Sequence, residues 1–132
     1  MSGSIFGASL SGLDAVNKRL QSSANNIANA HSTRQQEAGQ EIRTPYQPTD
    51  VVSTTTETGS VISHIQENNK QPQLVYDPQH IDSGDEGFVA LPNVNQAEEL
   101  QDIILARRAF EANLSVIKRT DQTLGSLLDI NE

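Results

Sequence analysis

The sequence predicts an α+β fold in which long N- and C-terminal α-helices pack as a coiled-coil-like pair, with a small central β-rich segment between them. Three observations predict it. Apolar residues recur every three or four positions near both ends, all five prolines fall between Pro45 and Pro92, and short runs rich in Val, Thr and Ile lie among those prolines. The chain therefore divides into an N-terminal helix at 1–30, a loop and small β-rich segment at 31–94, and a C-terminal helix at 95–132.

In the first element Phe6, Leu10, Leu13, Val16, Leu20, Ala24 and Ile27 form a stripe at helical spacing. Gly3, Gly7 and Gly12 each cost about 1 kcal/mol relative to Ala inside a helix, which predicts a robust start near Ser9 or Ser11. Asp14 and Lys18 at i, i+4 add support. The i, i+4 repeat of Gly3, Gly7 and Ser11 offers a smooth edge on which a second backbone can approach closely.

The middle begins with a polar, aperiodic stretch, and 31–48 is expected to be a loop. Asp50–Glu57 and Ser60–Gln66, separated by a break at Gly59, predict a β-hairpin. Further extended pieces are expected at Gln73–Tyr76 and Gly87–Leu91, divided by the turn-forming Asp77-Pro78 and Ser83–Gly87 runs.

The last element opens with Asn95 and Glu98 in capping-box spacing, and Glu98, Glu99 and Asp102 suit the positive end of the helix dipole. Its predicted stripe is Leu100, Ile103, Arg107, Phe110, Leu114, Ile117, Asp121, Leu124 and Leu128. Such a helix reaches about 54 Å at 1.5 Å per residue.

Several classes of function are disfavoured. A net charge of −8 opposes nucleic-acid binding, because a phosphate backbone is held by clustered Lys and Arg. The absence of Cys removes disulfides and thiolate chemistry. Residues 1–13 have neither a basic leader followed by a long apolar run nor a membrane-spanning stretch, so direct membrane insertion is not expected. The best local metal candidate, His80 with Asp77 and Asp82, lacks ligand spacing, and Asp82, Asp85 and Glu86 lack the calcium-loop pattern. There is no G-x-S-x-G elbow or phosphate loop, and Glu98 and Glu99 point to different helix faces. An acidic metal-dependent hydrolase is thus poorly supported; no enzyme activity and no cofactor are expected.

Both helical stripes need cover. Seven large apolar side chains on the C-terminal stripe contribute about 10–20 kcal/mol gross if buried, which a small β segment and a shorter helix do not fully supply. Covering by the chain's own domain is the ordinary alternative. Arg107 and Asp121 within the stripe favour a partner, since polar residues at such positions specify register. A free-standing coiled-coil adaptor or export chaperone binding a single client is the competing reading, and the mass of a closed complex distinguishes it from a polymer.

The segments Ser9-Leu-Ser-Gly-Leu-Asp14 and Ala24-Asn-Asn-Ile-Ala-Asn-Ala30 resemble the N-terminal signature of the flagellar axial protein family, which comprises rod, hook and hook-associated proteins. Leu74-Val-Tyr-Asp-Pro78, Glu86 to Asn95, Glu98-Glu99-Leu100 and Arg108 to Asn113 are similar to the proximal rod members, so the resemblance spans nearly the whole chain. One departure is His31 to Gln40, where the family carries a Thr- and Gly-rich run.

The resemblance implies a structural subunit of the periplasm-spanning rod. Its expected partners are other flagellar rod proteins, copies of itself and the flagellar type III export apparatus, with no cleaved signal peptide. It also implies a subunit interface at Leu13, Leu20, Asn25, Asn26, Ile27 and Asn29 of the first helix and at Leu100, Phe110, Asn113, Leu114 and Ile117 of the last. Clustered asparagines are costly in a helix unless their amides find partners in a neighbouring chain, although Asn is also common where a helix frays at its C-cap.

Overall fold

Helix α1 spans Ser2–Asn29 and α2 spans Gln96–Asp129, with strands β1 (Thr49–Thr55), β2 (Val61–Glu67), β3 (Gln73–Tyr76) and β4 (Phe88–Leu91) between them. The computed structural model describes residues 2–34 and 44–129, so part of the expected 31–48 loop lies outside the described residues. The two-helix, central-strand architecture agrees with the α+β expectation.

Helix α1 starts seven residues earlier than Ser9, the first start expected from its glycines. Once a helix is nucleated, each added residue gains a backbone hydrogen bond, which offsets the modest glycine cost. At the start of α2 the Asn95 side chain accepts from the Ala97 amide at 3.2 Å, giving the expected cap. The 34 residues of α2 make a rod about 51 Å long.

Strands β1 and β2 pair antiparallel from Thr49↔Glu67 to Thr55↔Val61. Their connection closes where the Thr56 amide donates to the Ser60 carbonyl at 2.8 Å, and Gly59 takes φ 80°, a conformation that favours glycine. Strands β3 and β4 form a separate two-stranded sheet, with Tyr76 opposite Phe88. Gly87 (φ +82°) is obligatory at the base of this second hairpin for a further reason: a Cβ there would lie 2.9 Å from the Tyr76 ring. Tyr76 and Phe88 meet edge to face at 5.3 Å between centroids.

Helix α1 is the centre of the molecule. Ser11, Lys18 and Ser22 lie on its hairpin-facing side. The Ser11 hydroxyl accepts from the Val61 amide at 3.0 Å, Lys18 Nζ donates to the Ser63 carbonyl at 2.7 Å, and the Ser22 hydroxyl donates to the Thr49 carbonyl at 2.6 Å. Lys18 also holds Asp14 at 2.7 Å, the expected i, i+4 pair. A second face of α1 packs along α2. Among the described residues, no Cα of β3 or β4 comes within 8 Å of a Cα of either helix or of the first hairpin's strands, although Val89 and Ala90 of β4 are buried.

The buried apolar residues are mostly small: Ala15, Val16, Ala30, Val89, Ala90 and Ala106. The largest side chain in the fully buried class is an amide, Asn26, at 1% exposure. Close backbone approach and hydrogen bonding, more than large aliphatic groups, therefore hold the described core together.

Candidate assembly interface

The two helices run antiparallel, with Gly12 against Asn113 at one level and Asn26 against Glu99 at another. The seam is narrow because α1 contributes small side chains to it. A Cβ on Gly12 would come 3.0 Å from the Asn113 amide nitrogen, whereas Gly7 faces open space. Of the smooth edge expected at Gly3, Gly7 and Ser11, Gly7 thus meets no backbone, while Ser11 serves the β-hairpin.

At the end of the seam nearer the chain's centre, Asn26 joins three segments. Its amide nitrogen donates to the Thr49 carbonyl at 2.8 Å and to Glu99 Oε1 at 2.7 Å. Its oxygen accepts from the Thr49 amide at 2.9 Å and from the Tyr46 hydroxyl at 2.7 Å. Every donor and acceptor of the side chain is used. Sequence reasoning expected such partners from a neighbouring molecule; for Asn26 they come from its own chain.

Burial raises the Tyr46 phenol above its ordinary value of 10.0; the Glu99 carboxylate adds to the rise and a hydrogen bond from the Thr49 side chain opposes it. A raised folded-state value means that the stabilisation is whole below about pH 10 and is lost as pH rises through the folded value, because the unfolded chain releases the proton first. Unfolding midpoints measured from pH 8 to 12 are expected to fall more steeply for the wild type than for Tyr46→Phe. Subtracting the phenolate absorbance titration of the variant from that of the wild type should place the Tyr46 midpoint above 10.0.

Outside the seam the helices carry further apolar side chains among charged ones. On α2 the residues facing α1 are Ile103, Ala106, Phe110, Asn113 and Ile117, buried or half-buried. A second heptad-spaced stripe, Leu100, Ile104, Arg107, Glu111, Leu114 and Lys118, is exposed along its whole length. The predicted stripe mixed these two. Arg107 and Asp121 lie off the seam, and Arg107 pairs instead with Glu111 at 3.4 Å on the surface. The phase moved because Ala106 and Asn113 fit the small residues of α1, while Arg107 and Leu114 are too large for that approach. On α1, Phe6 and Leu10 are exposed and Leu13 and Leu20 half-buried, all flanking the small-residue face.

The expected interface residues thus separate into three groups. Asn26 is sealed inside. Leu13, Leu20, Ile27, Asn29, Phe110, Asn113 and Ile117 are half-buried along or beside the seam, and Asn25, Leu100 and Leu114 are exposed. Asn29 donates to the Asn25 carbonyl at 2.9 Å, a local bond within the last turn of α1. Sequence reasoning missed Ser22, Tyr46, Thr49 and Glu99, the other members of the Asn26 network, and it missed Ile104. A usable signal existed for the last: the unbroken run Ile103-Ile104-Leu105-Ala106 puts apolar groups on more than one helix face.

The turn region around Asp77, His80 and Asp82 is organised by its own backbone. The His80 ring Nδ1 accepts from the Asp82 amide at 3.1 Å, and Asp77 Oδ1 accepts from the Gln79 amide at 3.2 Å. No helix among the described residues is long and apolar enough to cross a membrane.

Residues 85–130 match the family model described as Flagellar basal body rod FlgEFG protein C-terminal. The chain is 34% identical over 137 residues to the flagellar basal-body rod protein FlgC of Borreliella burgdorferi, with 90% of each chain covered. It is 31% identical over 134 residues to that of Yersinia enterocolitica, covering 97% of this chain and 96% of the relative. Identity to the Aquifex aeolicus protein of the same name is 29% over 116 residues, with 86% of this chain and 85% of that one covered.

Proposed function

Because the chain belongs to the flagellar basal-body rod protein FlgC family, it is a structural subunit of the flagellar basal-body rod, and we propose that it enters that shaft through the outward stripes of its two terminal helices. The observation that carries this reading is the exposure of Leu100, Ile104 and Leu114 on one heptad-spaced face of α2, two apolar groups and a third separated by the Arg107–Glu111 pair, all without cover in the single chain. Phe6 and Leu10 present the corresponding surface on α1. Residues 1–30 and 95–132 form the axial assembly core, and the interface is carried by Asn25, Leu100 and Leu114 with Leu13, Leu20, Ile27 and Asn29 beside them, while Phe110, Asn113 and Ile117 support it from the α1–α2 seam. Asn26 supports the interface from within by fixing the register of the helices that present it.

The partners are other rod proteins and further copies of this chain. Its work is mechanical: it forms part of the torque-transmitting shaft that also conducts exported subunits. The chain reaches the rod through the flagellar type III export apparatus. A core whose largest fully buried side chain is Asn26 supports passage in an unfolded state, because little aliphatic burial must be undone before threading.

Disrupting the reading frame tests the assignment. Non-motile cells whose purified basal bodies stop before the rod is complete are the expected result. Complete rods and normal swimming in the disrupted strain would overturn it.

A further inference from the structure

The second hairpin has a surface that the helix-based assembly does not use. Leu74, Tyr76 and Phe88 share one face of the β3–β4 pair, since directly opposed residues point the same way, and they are 50%, 66% and 40% exposed. Ile81, on the connecting loop, is 88% exposed. The rim of this patch is acidic: Asp77, Asp85 and Glu86 are exposed, and no Lys or Arg occurs between residues 71 and 106. Among the described residues, no Cα of β3 or β4 comes within 8 Å of a Cα of either helix, and the exposed side chains lie on the open part of the hairpin next to Val89 and Ala90, which are buried. A partner with an apolar centre and a basic rim would complement it.

Such a surface exists on the same molecule, out of contact with its own hairpin. Arg108, Ala112, Val116 and Arg119, with Leu105 at the lip of the cleft that α2 forms with α1 and β1, make a third stripe on α2, all exposed, on a face distinct from the Leu100–Leu114 stripe. It contains two arginines and no acid. We propose that the acidic, aromatic β3–β4 hairpin of one molecule docks on this basic stripe of a second copy. Leu74, Tyr76 and Phe88 pack on Leu105, Ala112 and Val116, while Asp85 and Glu86 meet Arg108 and Arg119. The two surfaces differ, so the contact is heterologous, and repetition of it gives an open series of subunits instead of a closed pair.

Charge reversal in the full-length chain tests this, with self-association followed by sedimentation velocity at low and high salt. The wild type is expected to form species beyond the dimer that weaken as salt rises. Asp85→Lys with Glu86→Lys, or Arg108→Glu with Arg119→Glu, should each lower the association constant about tenfold or more. Combining both pairs in one chain should restore it to within about threefold, as should an equimolar mixture of the two reversed chains, because each surface then again meets its opposite charge. The native chain has no Cys, so separate Tyr76→Cys and Ala112→Cys chains give an independent readout: a disulfide heterodimer on mixing under oxidation is expected. A wild type that stays monomeric at all salts, reversals without effect, failure of the combined chain to recover, or absence of the heterodimer would each overturn the proposal. None of these results bears on whether the chain is required for the rod.

Discussion

Asn26→Ala is expected to destabilise the free chain by about 3–4 kcal/mol, a large loss for a core so poor in aliphatic side chains. The truncation leaves the Thr49 amide, the Tyr46 hydroxyl and one Glu99 oxygen short of a partner at once, the Thr49 carbonyl keeping only its bond from Ser22, and water enters such a site only in part. Helix propensity works the other way, since Ala is the better helix former, so a destabilisation of that size isolates the hydrogen-bond network. Denaturant titration of the purified protein measures it, with the exposed neighbour Asn25→Ala as a comparison expected to stay within about 0.5 kcal/mol of wild type. Asn26→Asp separates charge from size. It keeps the volume but replaces the donor facing Thr49 and Glu99 by a carboxylate, so its loss at neutral pH is expected to equal or exceed that of Ala and to shrink as pH is lowered. An Ala variant as stable as wild type would show that Asn26 does not hold α1, β1 and α2 together.

Leu100→Gln combined with Leu114→Gln is expected to abolish swimming while leaving the isolated chain folded. Gln is nearly as good a helix former as Leu, and the two leucines are 54% and 38% exposed, so the monomer loses little. In an assembled rod the same two side chains would be buried against a neighbour. Forfeiting half of a full leucine burial at each of the two positions removes about 1.5–3 kcal/mol from each subunit contact, roughly ten- to a hundredfold in affinity. A motility halo together with basal-body isolation reads the first half of the expectation, and circular dichroism with thermal melting reads the second. Normal motility in the double variant would remove this stripe from the assembly surface.

Much of the architecture was legible in the residues. Local rules place Gly59 at a turn, Asn95 at a helix start and the extended pieces Gln73–Tyr76 and Gly87–Leu91 close to where β3 and β4 stand, because turn chemistry, capping and β-branching act over a few residues. The candidate interface was legible only in part. Leu100 and Leu114 stand outward and accessible, whereas Phe110, Asn113 and Ile117 lie along or beside the intramolecular seam.

The sequence by itself determined the two terminal helices, the β-rich middle, the acidic balance and the family signature, all of which rest on composition and short-range spacing. Tertiary structure alone decided which stripe of α2 meets α1 and where the amide of Asn26 is satisfied. Hydropathy scores a side chain's transfer from water, and α2 carries apolar groups on all three of its stripes, so periodicity left the seam's phase open by one residue. The choice fell to the match between Ala106, Asn113 and the small residues of α1, and to a hydrogen-bond network joining positions 26, 46, 49 and 99, which are neighbours only once the chain has folded.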